Sequence, residues 1–539
     1  MKIYLIRIAF LFFLLSIIHP ELSHSWDIIM LTTSDTKGQL HPLDLKISKD
    51  NELQIQKIGG FARLAWFVSR AKKKFPGKTL LVTSGDDLAG PYFKQFHGKP
   101  IFEAMNVIGY DVGTLGNQPF DYGDSFLNKG INFAEFPLVI SNITVLPECP
   151  LYGKIPQYVI VEKNNLKIGV IGLMATDLAI ISNPCPHVLA LDNISSVCNK
   201  MVELLKRNLG TDLILVLAHI GPNQVEELVR QVPEIDIVIY GGRSSNITKL
   251  GREAIKHPSG KLTIAINSGA QGSHIGMLKL SIKNKSISDY KWQSVLMDSN
   301  IHEDADVKTL VESYNKLLPE NYDLARSLVD INLLKATQRT SESGVGNLIC
   351  DILRKRFKAD IALYNGGSIR GNKIIAAGSI TNHDVAIIHP YGNTVSLLAL
   401  SGETIKQALE LGVSYLPQTN GAFLQVSGMR YTIDIRNPAQ ELIFNKNKDP
   451  IGVGKPGSRV QNVAVLGNDG HYHPLNSKKT YTVVTSNWIA NGGDAFFMFK
   501  NVTDRTDTDL LVKEVVEEGI QGKETISTKI EGRIKIVGR

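Results

Sequence analysis

Residues 27–300 contain five apolar, β-rich runs that all stop on the same kind of residue, and this constrains the fold more than any other feature. The runs are "IIMLTTSD", "TLLVTSGDD", "VGTLGNQ", "LILVLAHIG" and "IDIVIYGGRSS", each ending at Asp, Asn, His or Gly. Amphipathic stretches separate them, which is the pattern of an α/β sandwich. Open α/β sheets carry their ligands outside the carboxyl ends of the strands, so these five polar ends are expected to converge on one site.

The chain has 539 residues, too many for a single core, so at least two domains are expected. Hydrophobic residues make up 43% and charged residues 21%, an ordinary globular composition. A formal charge of +7 is modest for this length and reads as a solvated basic surface. No block of like charge or basic stripe interleaved with aromatics points to nucleic acid, so no nucleic-acid partner is expected. "AKKKFPGKT" at 71–79 fits a phosphate loop poorly, because Lys72 stands where that loop opens on glycine.

At the N-terminus, Lys2 and Arg7 are followed by an apolar run from Ile8 to Ile18 and then by small or polar residues. This reads as a secretory signal peptide over 1–25. The last residues, "TISTKIEGRIKIVGR", lack the apolar tail of a lipid-anchor signal. A secreted, extracellular protein with no membrane anchor is therefore expected. Sequons at Asn142, Asn193, Asn246, Asn284 and Asn501 suit a glycoprotein, with Asn142 in a segment expected to be buried. Of the four cysteines, Cys350 lies on the apolar face of an expected helix and reads as a buried free thiol. One bridge among Cys149, Cys185 and Cys198 is compatible with secretion, and the sequence does not choose the pair.

"EDADVKTLVESYNKLLPE" at 303–320 has helical spacing, early acids and a late Pro, and reads as a helix joining two domains. The expected organisation is a first domain over 26–300, a linking helix over 301–329 and a second domain over 330–539. The second domain carries the Gly-rich loops "YNGGSIRGN", "HPYGNTV" and "NWIANGGDAFF".

Taken in order, these loops resemble those of the secreted 5′-nucleotidase/apyrase family, most specifically at "GVGNLICD", "NGGSIR", "FLQVSG" and "ANGGDAF". The resemblance implies an N-terminal calcineurin-like metallophosphoesterase domain, an α/β/β/α sandwich, then a linking helix and a C-terminal α+β 5′-nucleotidase domain. In that family two divalent metals at the strand ends activate a water for attack on the terminal phosphate. The matching metal positions here are Asp35, Asp86, Asn117 and His219, with Asp121 as a remnant of the catalytic set. Three positions depart from the pattern. Lys37 and Arg243 stand where the family has ligand histidines, and Gln118 replaces the catalytic histidine. Ser245 occupies a further position that is often His or Gln.

An ammonium about 4 Å from a divalent ion is repelled by roughly 8 kcal/mol at an effective dielectric near 20. That offsets much of the ~10–16 kcal/mol of a well-formed structural zinc site. Lys37 and Arg243 are accordingly expected to pair with Asp35 and Asp86, leaving no metal or one weakly held divalent ion, not a two-metal centre.

The nucleotide positions implied by the resemblance are Asn365, Arg370, Tyr391, Trp488 and Asp494. Tyr391 and Trp488 would stack on the base and Asp494 would hold the ribose. Arg339 lies near a family arginine, whose closer position is Ser341, and Ala422 stands where an arginine is common. The expected partner is an adenine nucleotide or nucleoside. Tail-less relatives include salivary proteins of blood-feeding arthropods that inhibit platelet aggregation, which implies a platelet receptor or fibrinogen as a further target. Two activities follow: a weakly active or non-catalytic nucleotide binder, and a working metal-dependent apyrase or 5′-nucleotidase acting on ATP, ADP or AMP.

Overall fold

The computed structural model describes residues 26–49, 52–182, 184–191, 193–242, 251–257, 261–318, 321–446 and 450–538. The signal peptide expected over 1–25, as well as Arg243, Ser245 and Asn246, lie outside the described residues. Among those described, no helix is long and apolar enough to cross a membrane. The chain divides into two compact units, Met1–Leu318 and Pro319–Arg539.

Two sheets form the centre of the first unit. One runs Ser286–Leu296, His274–Lys283, Ile28–Thr33, Thr79–Thr83, Val112–Gly113, with the last three strands parallel. The other contains the parallel set Leu262–Asn267, Ile237–Gly241, Leu213–His219 and Leu166–Met174, edged by antiparallel Gly251–Lys256 and Tyr158–Lys163.

Alternation along each strand builds the layers. Ile28 and Met30 share one core with Leu213, Leu215 and Leu217, so the two sheets face each other there. Ile29 and Leu31 turn the other way, onto Phe61, Leu64 and Val68 of the helix Phe61–Lys74. Ile214, Val216 and Ala218 likewise turn onto Val225, Leu228 and Val229 of the helix Pro222–Gln231. The result is the α/β/β/α sandwich, and each central strand is apolar at nearly every position because both its faces are covered.

In the second unit the main sheet runs Leu424–Ser427, Ile361–Asn365, Thr480–Ser486, Thr394–Ser401, Arg505–Leu511. One face packs on the helices Gly344–Arg356 and Val512–Ile520, the other on Gly402–Val413. Cys350 is fully buried in the first of these helices and is free.

The stretch 301–329 is not one linking helix. A helix capped by Asp304 runs Ala305–Asn315 and buries Val307 and Val311 in the first unit. Asp323–Ser327 is a strand of the second unit, pairing with Gly378–Thr381 and Thr525–Ile526. The adjacent apolar residues Leu324 and Ala325 of "DLARS" are both buried in this strand, and the helical pattern does not extend that far.

Leu215 lies at the middle of the intersheet core with no exposed surface. Leu215→Ala is expected to lower the stability of the first unit by about 2–5 kcal/mol. Urea denaturation should show its transition moved to lower concentration while the transition of the second unit stays in place.

Candidate functional site

The five strand ends of the first unit do meet. In register, Thr33 lies beside Thr83, Thr83 beside Gly113, and His219 beside both Gly241 and Met174. The loops leaving these ends bring ligand atoms of Asp35, Asp86 and His219 within 4.8 Å of one another, all three residues fully buried or nearly so. Asn117 joins them, its Oδ1 3.2 Å from His219 Nε2.

Local backbone chemistry sets these positions. Asp35, Lys37 and Asp86 all have φ near +50°, a left-handed conformation that is uncommon outside glycine and concentrates at functional sites. The amide of Lys37 donates to the Asp86 carbonyl at 2.8 Å, and that of Asp35 to the Gly85 carbonyl at 2.9 Å, so the two aspartate loops brace each other. Gly116 is needed beside them, since a Cβ there would overlap the Asp86 carboxylate.

Asp86 Oδ1 accepts the amide of Gln118 at 3.0 Å. Its Oδ2 lies 3.2 Å from His219 Nε2 but is buried with no hydrogen-bond partner. Burial works against the charge of Asp86, yet His219, the charge of Lys37 and the Gln118 amide hold its carboxyl below the ordinary range. Burial also disfavours a charged His219, but Asp86, then Asp35 and the Ser84 carbonyl 3.1 Å from Nδ1, push the imidazole up to about 10. Asp35 in turn accepts the amide of Gly242 at 3.1 Å.

Among the described residues the ion pair of Asp86 is with His219. Lys37 acts on Asp86 through its charge, and Arg243 lies outside the described residues.

Gln118 and Asp121 sit in the next turn of the same loop. Ser182 Oγ lies 2.6 Å from Asp121 Oδ1 and 2.7 Å from the Asn117 carbonyl, sharing its proton between them. Gln118 Oε1 is buried without a hydrogen-bond partner. An amide can lend an oxygen to a cation but cannot act as an acid or a base, so a histidine's proton chemistry is missing at this position.

Two supporting residues had not been singled out from the sequence. Asp87 is buried beneath the site, pushed up to about 6 by burial, and accepts from Thr36 and Thr83 at 2.7 Å each. Ser182 is the other. The doubled acid in "SGDD" was the available signal for Asp87; nothing local marks Ser182.

The donor set of two carboxylates, an imidazole and an amide oxygen, with Asp86 Oδ2 left without a hydrogen bond, fits divalent-cation binding.

In the second unit the expected nucleotide residues gather at one end of the main sheet. Val395 pairs with Ser486 at the end of the ladder, so Tyr391, before Thr394–Ser401, and Trp488, after Thr480–Ser486, leave the sheet at the same edge. Both rings are about half exposed. Asn365 ends the neighbouring strand and donates to Asp494 Oδ2 at 2.7 Å, while Ser368 Oγ fixes the Asn365 oxygen. Asp494 has φ +49°, and Gly367 and Gly421 let its carboxylate approach the backbone closely. The Arg370 guanidinium lies 5.2 Å from the centre of the Tyr391 ring, a cation–π contact. Arg339 Nε is buried and unpartnered, and Ala422 is fully buried.

A carboxylate–imidazole centre at the strand ends of an α/β/β/α sandwich, followed by a separate α+β unit, defines a calcineurin-like phosphoesterase joined to a nucleotidase domain. Residues 324–501 match the family model for the 5′-nucleotidase C-terminal domain. The chain is 30% identical to a 5′-nucleotidase precursor of Thermus thermophilus, covering 95% of this chain and 99% of that one with a TM-score of 0.56. It is 28% identical to the 5′-nucleotidase of Rattus norvegicus over 95% of this chain and 91% of the relative. It is 27% identical to the trifunctional nucleotide phosphoesterase protein YfkN of Bacillus subtilis, over 96% of this chain but only 35% of that longer protein. The chain belongs to the 5′-nucleotidase family, whose members are metal-dependent nucleotide phosphohydrolases.

If the exposed rings hold a base, Trp488→Ala should weaken AMP binding by about 1–3 kcal/mol. Isothermal calorimetry checks this, with Asp494→Ala expected to weaken adenosine as much as AMP because the ribose, not the phosphate, is its partner.

Proposed function

We propose that this protein is a secreted nucleotide-binding member of the 5′-nucleotidase family with strongly reduced hydrolytic capacity. One observation carries the reading: Lys37, whose charge reaches the buried Asp86 carboxylate, stands where the resemblance implies a ligand histidine. A family centre draws that charge from two metals, and here Lys37 adds a fixed positive charge where a ligand is expected. Asp35, Asp86, Asn117 and His219 would hold a single divalent ion, which when bound would polarise a phosphate oxygen and acidify a water. The Gln118 amide can donate a hydrogen bond to phosphate but cannot transfer a proton to a leaving group.

The second unit supports the binding half of the reading. Asp494, held by Asn365, offers acceptors to ribose hydroxyls, and Tyr391 and Trp488 offer exposed aromatic faces to a base. An adenine nucleotide or nucleoside is the ligand proposed. The platelet receptor or fibrinogen target implied by the salivary resemblance forms no part of this reading. Secretion rests on the leader-like sequence over 1–25.

Phosphate release from ATP, ADP and AMP with added Zn²⁺, Mn²⁺ or Mg²⁺ tests the proposal against calorimetric affinity for the same nucleotides. Stoichiometric binding with turnover far below ~1 s⁻¹ is expected, and turnover in the ordinary enzyme range of ~1–10³ s⁻¹ overturns it. In a restoration series, Lys37→His, Gln118→His and Arg243→His together should raise turnover at least tenfold. Gln118→His alone should change it little, because the cations remain.

A further inference from the structure

We propose that Asp124, Cys149 and Cys185 form a second, structural site for a thiophilic divalent cation, of which zinc is the foremost example. The three side chains each present one ligand atom, a carboxylate oxygen and two thiol sulfurs, within 4.8 Å of one another. Around a tetrahedral zinc with Zn–S near 2.3 Å, two sulfurs lie about 3.8 Å apart, a separation within the 4.8 Å that bounds the cluster.

The fold builds this arrangement from three segments. The strands Ile143–Val145 and Val188–Ala190 pair antiparallel, with Val145 opposite Val188, and Leu146 donates to the His187 carbonyl at 2.9 Å. Just past this pairing the chain turns on each side. Cys149 closes one turn, its amide on the Leu146 carbonyl, and Cys185 opens the other, its carbonyl accepting from Val188. Asp124 begins the helix Asp124–Ile131, and its Oδ2 accepts the Cys185 amide at 2.6 Å.

Asp124 carries the second, independent observation. It is 4% exposed, and its Oδ1 is buried with no hydrogen-bond partner. Among the described residues it forms no ion pair with Lys, Arg or His. A buried carboxylate oxygen without donor or cation is costly, and a metal ion is the partner that its two thiol neighbours also favour. Binding converts both thiols to thiolates and releases two protons to solvent, and one coordination position is left to water.

A disulfide between the two cysteines explains less. It would bring the sulfurs to about 2.0 Å and leave Asp124 Oδ1 as unsatisfied as before. Cys198 belongs to a different core, with Ile194, Val202 and Leu205, and takes no part.

The site's place in the fold gives it a positioning role. Asp124 follows Asp121 by three residues, and Cys185 follows Ser182 by three, while Ser182 bonds Asp121 and Asn117. An ion between Asp124 and Cys185 would therefore clamp the two segments whose hydrogen bonds shape the Asn117–Asp121 loop. The inference does not depend on the proposed loss of hydrolysis.

Cobalt(II) titration of the reduced, metal-free full chain tests it, because a sulfur-to-cobalt charge-transfer band in the near ultraviolet requires thiolate ligands. The centre of Asp35, Asp86, Asn117 and His219 contains no sulfur and cannot give that band. The expected result is a band saturating at about one cobalt per chain and abolished by zinc. It should be lost in Cys149→Ser and in Cys185→Ser, form at least tenfold more weakly in Asp124→Asn, and persist in Cys198→Ser and Asp86→Asn. The wild-type titration decides the matter even if a cysteine variant folds poorly. Absence of the band with both thiols free overturns the site. So does finding Cys149 and Cys185 joined in the native protein, read as a linked peptide two hydrogens lighter.

Discussion

A single buried carboxylate, that of Asp86, organises the first unit's centre. It has no contact with solvent, so its charge must be compensated within the protein. His219 supplies the ion pair, Lys37 adds field, and the Gln118 amide closes the third side. Each of these groups comes from a different loop, and each loop leaves a different strand. The Asp35 carboxylate lies in the same cluster and adds to the pull on the His219 imidazole.

The scaffold makes that balance possible by rigidity. Two sheets meet in an apolar layer, and their strand ends project the polar loops to one edge. Left-handed backbone at Asp35, Lys37 and Asp86, and close approach of Gly116 to Asp86, hold the loops in conformations that ordinary turns do not reach. In the second unit the equivalent constraint is the Asn365–Asp494 hydrogen bond, which ties the end of one strand to the Gly-rich loop after its neighbour.

Much of this was legible in the sequence, and the reason is periodicity. Strands covered on both faces leave continuous apolar runs, and the polar residue that ends each run marks a loop of the site, so the sandwich and the convergence of Asp35, Asp86, Asn117 and His219 could be read directly. The joining segment was less legible, because a helical pattern in "EDADVKTLVESYN" gives way to a strand only a few residues on, at Asp323. What the sequence hid are contacts made by packing between distant segments. Ser182 and Asp121 are 61 positions apart, Asp124 and Cys185 equally so, and neither pair leaves a local signature. Asp86 pairing with His219 was hidden for the same reason, since the two lie 133 positions apart and meet only through the loops.

Metal stoichiometry tests the central claim most directly. Elemental analysis of the purified Cys149→Ser/Cys185→Ser variant, which removes both thiol ligands, isolates the centre around Asp86. No more than one equivalent of divalent metal per chain, lost in Asp86→Asn, is the result predicted by a centre whose charge is supplied by its own side chains. Two tightly held equivalents would contradict it.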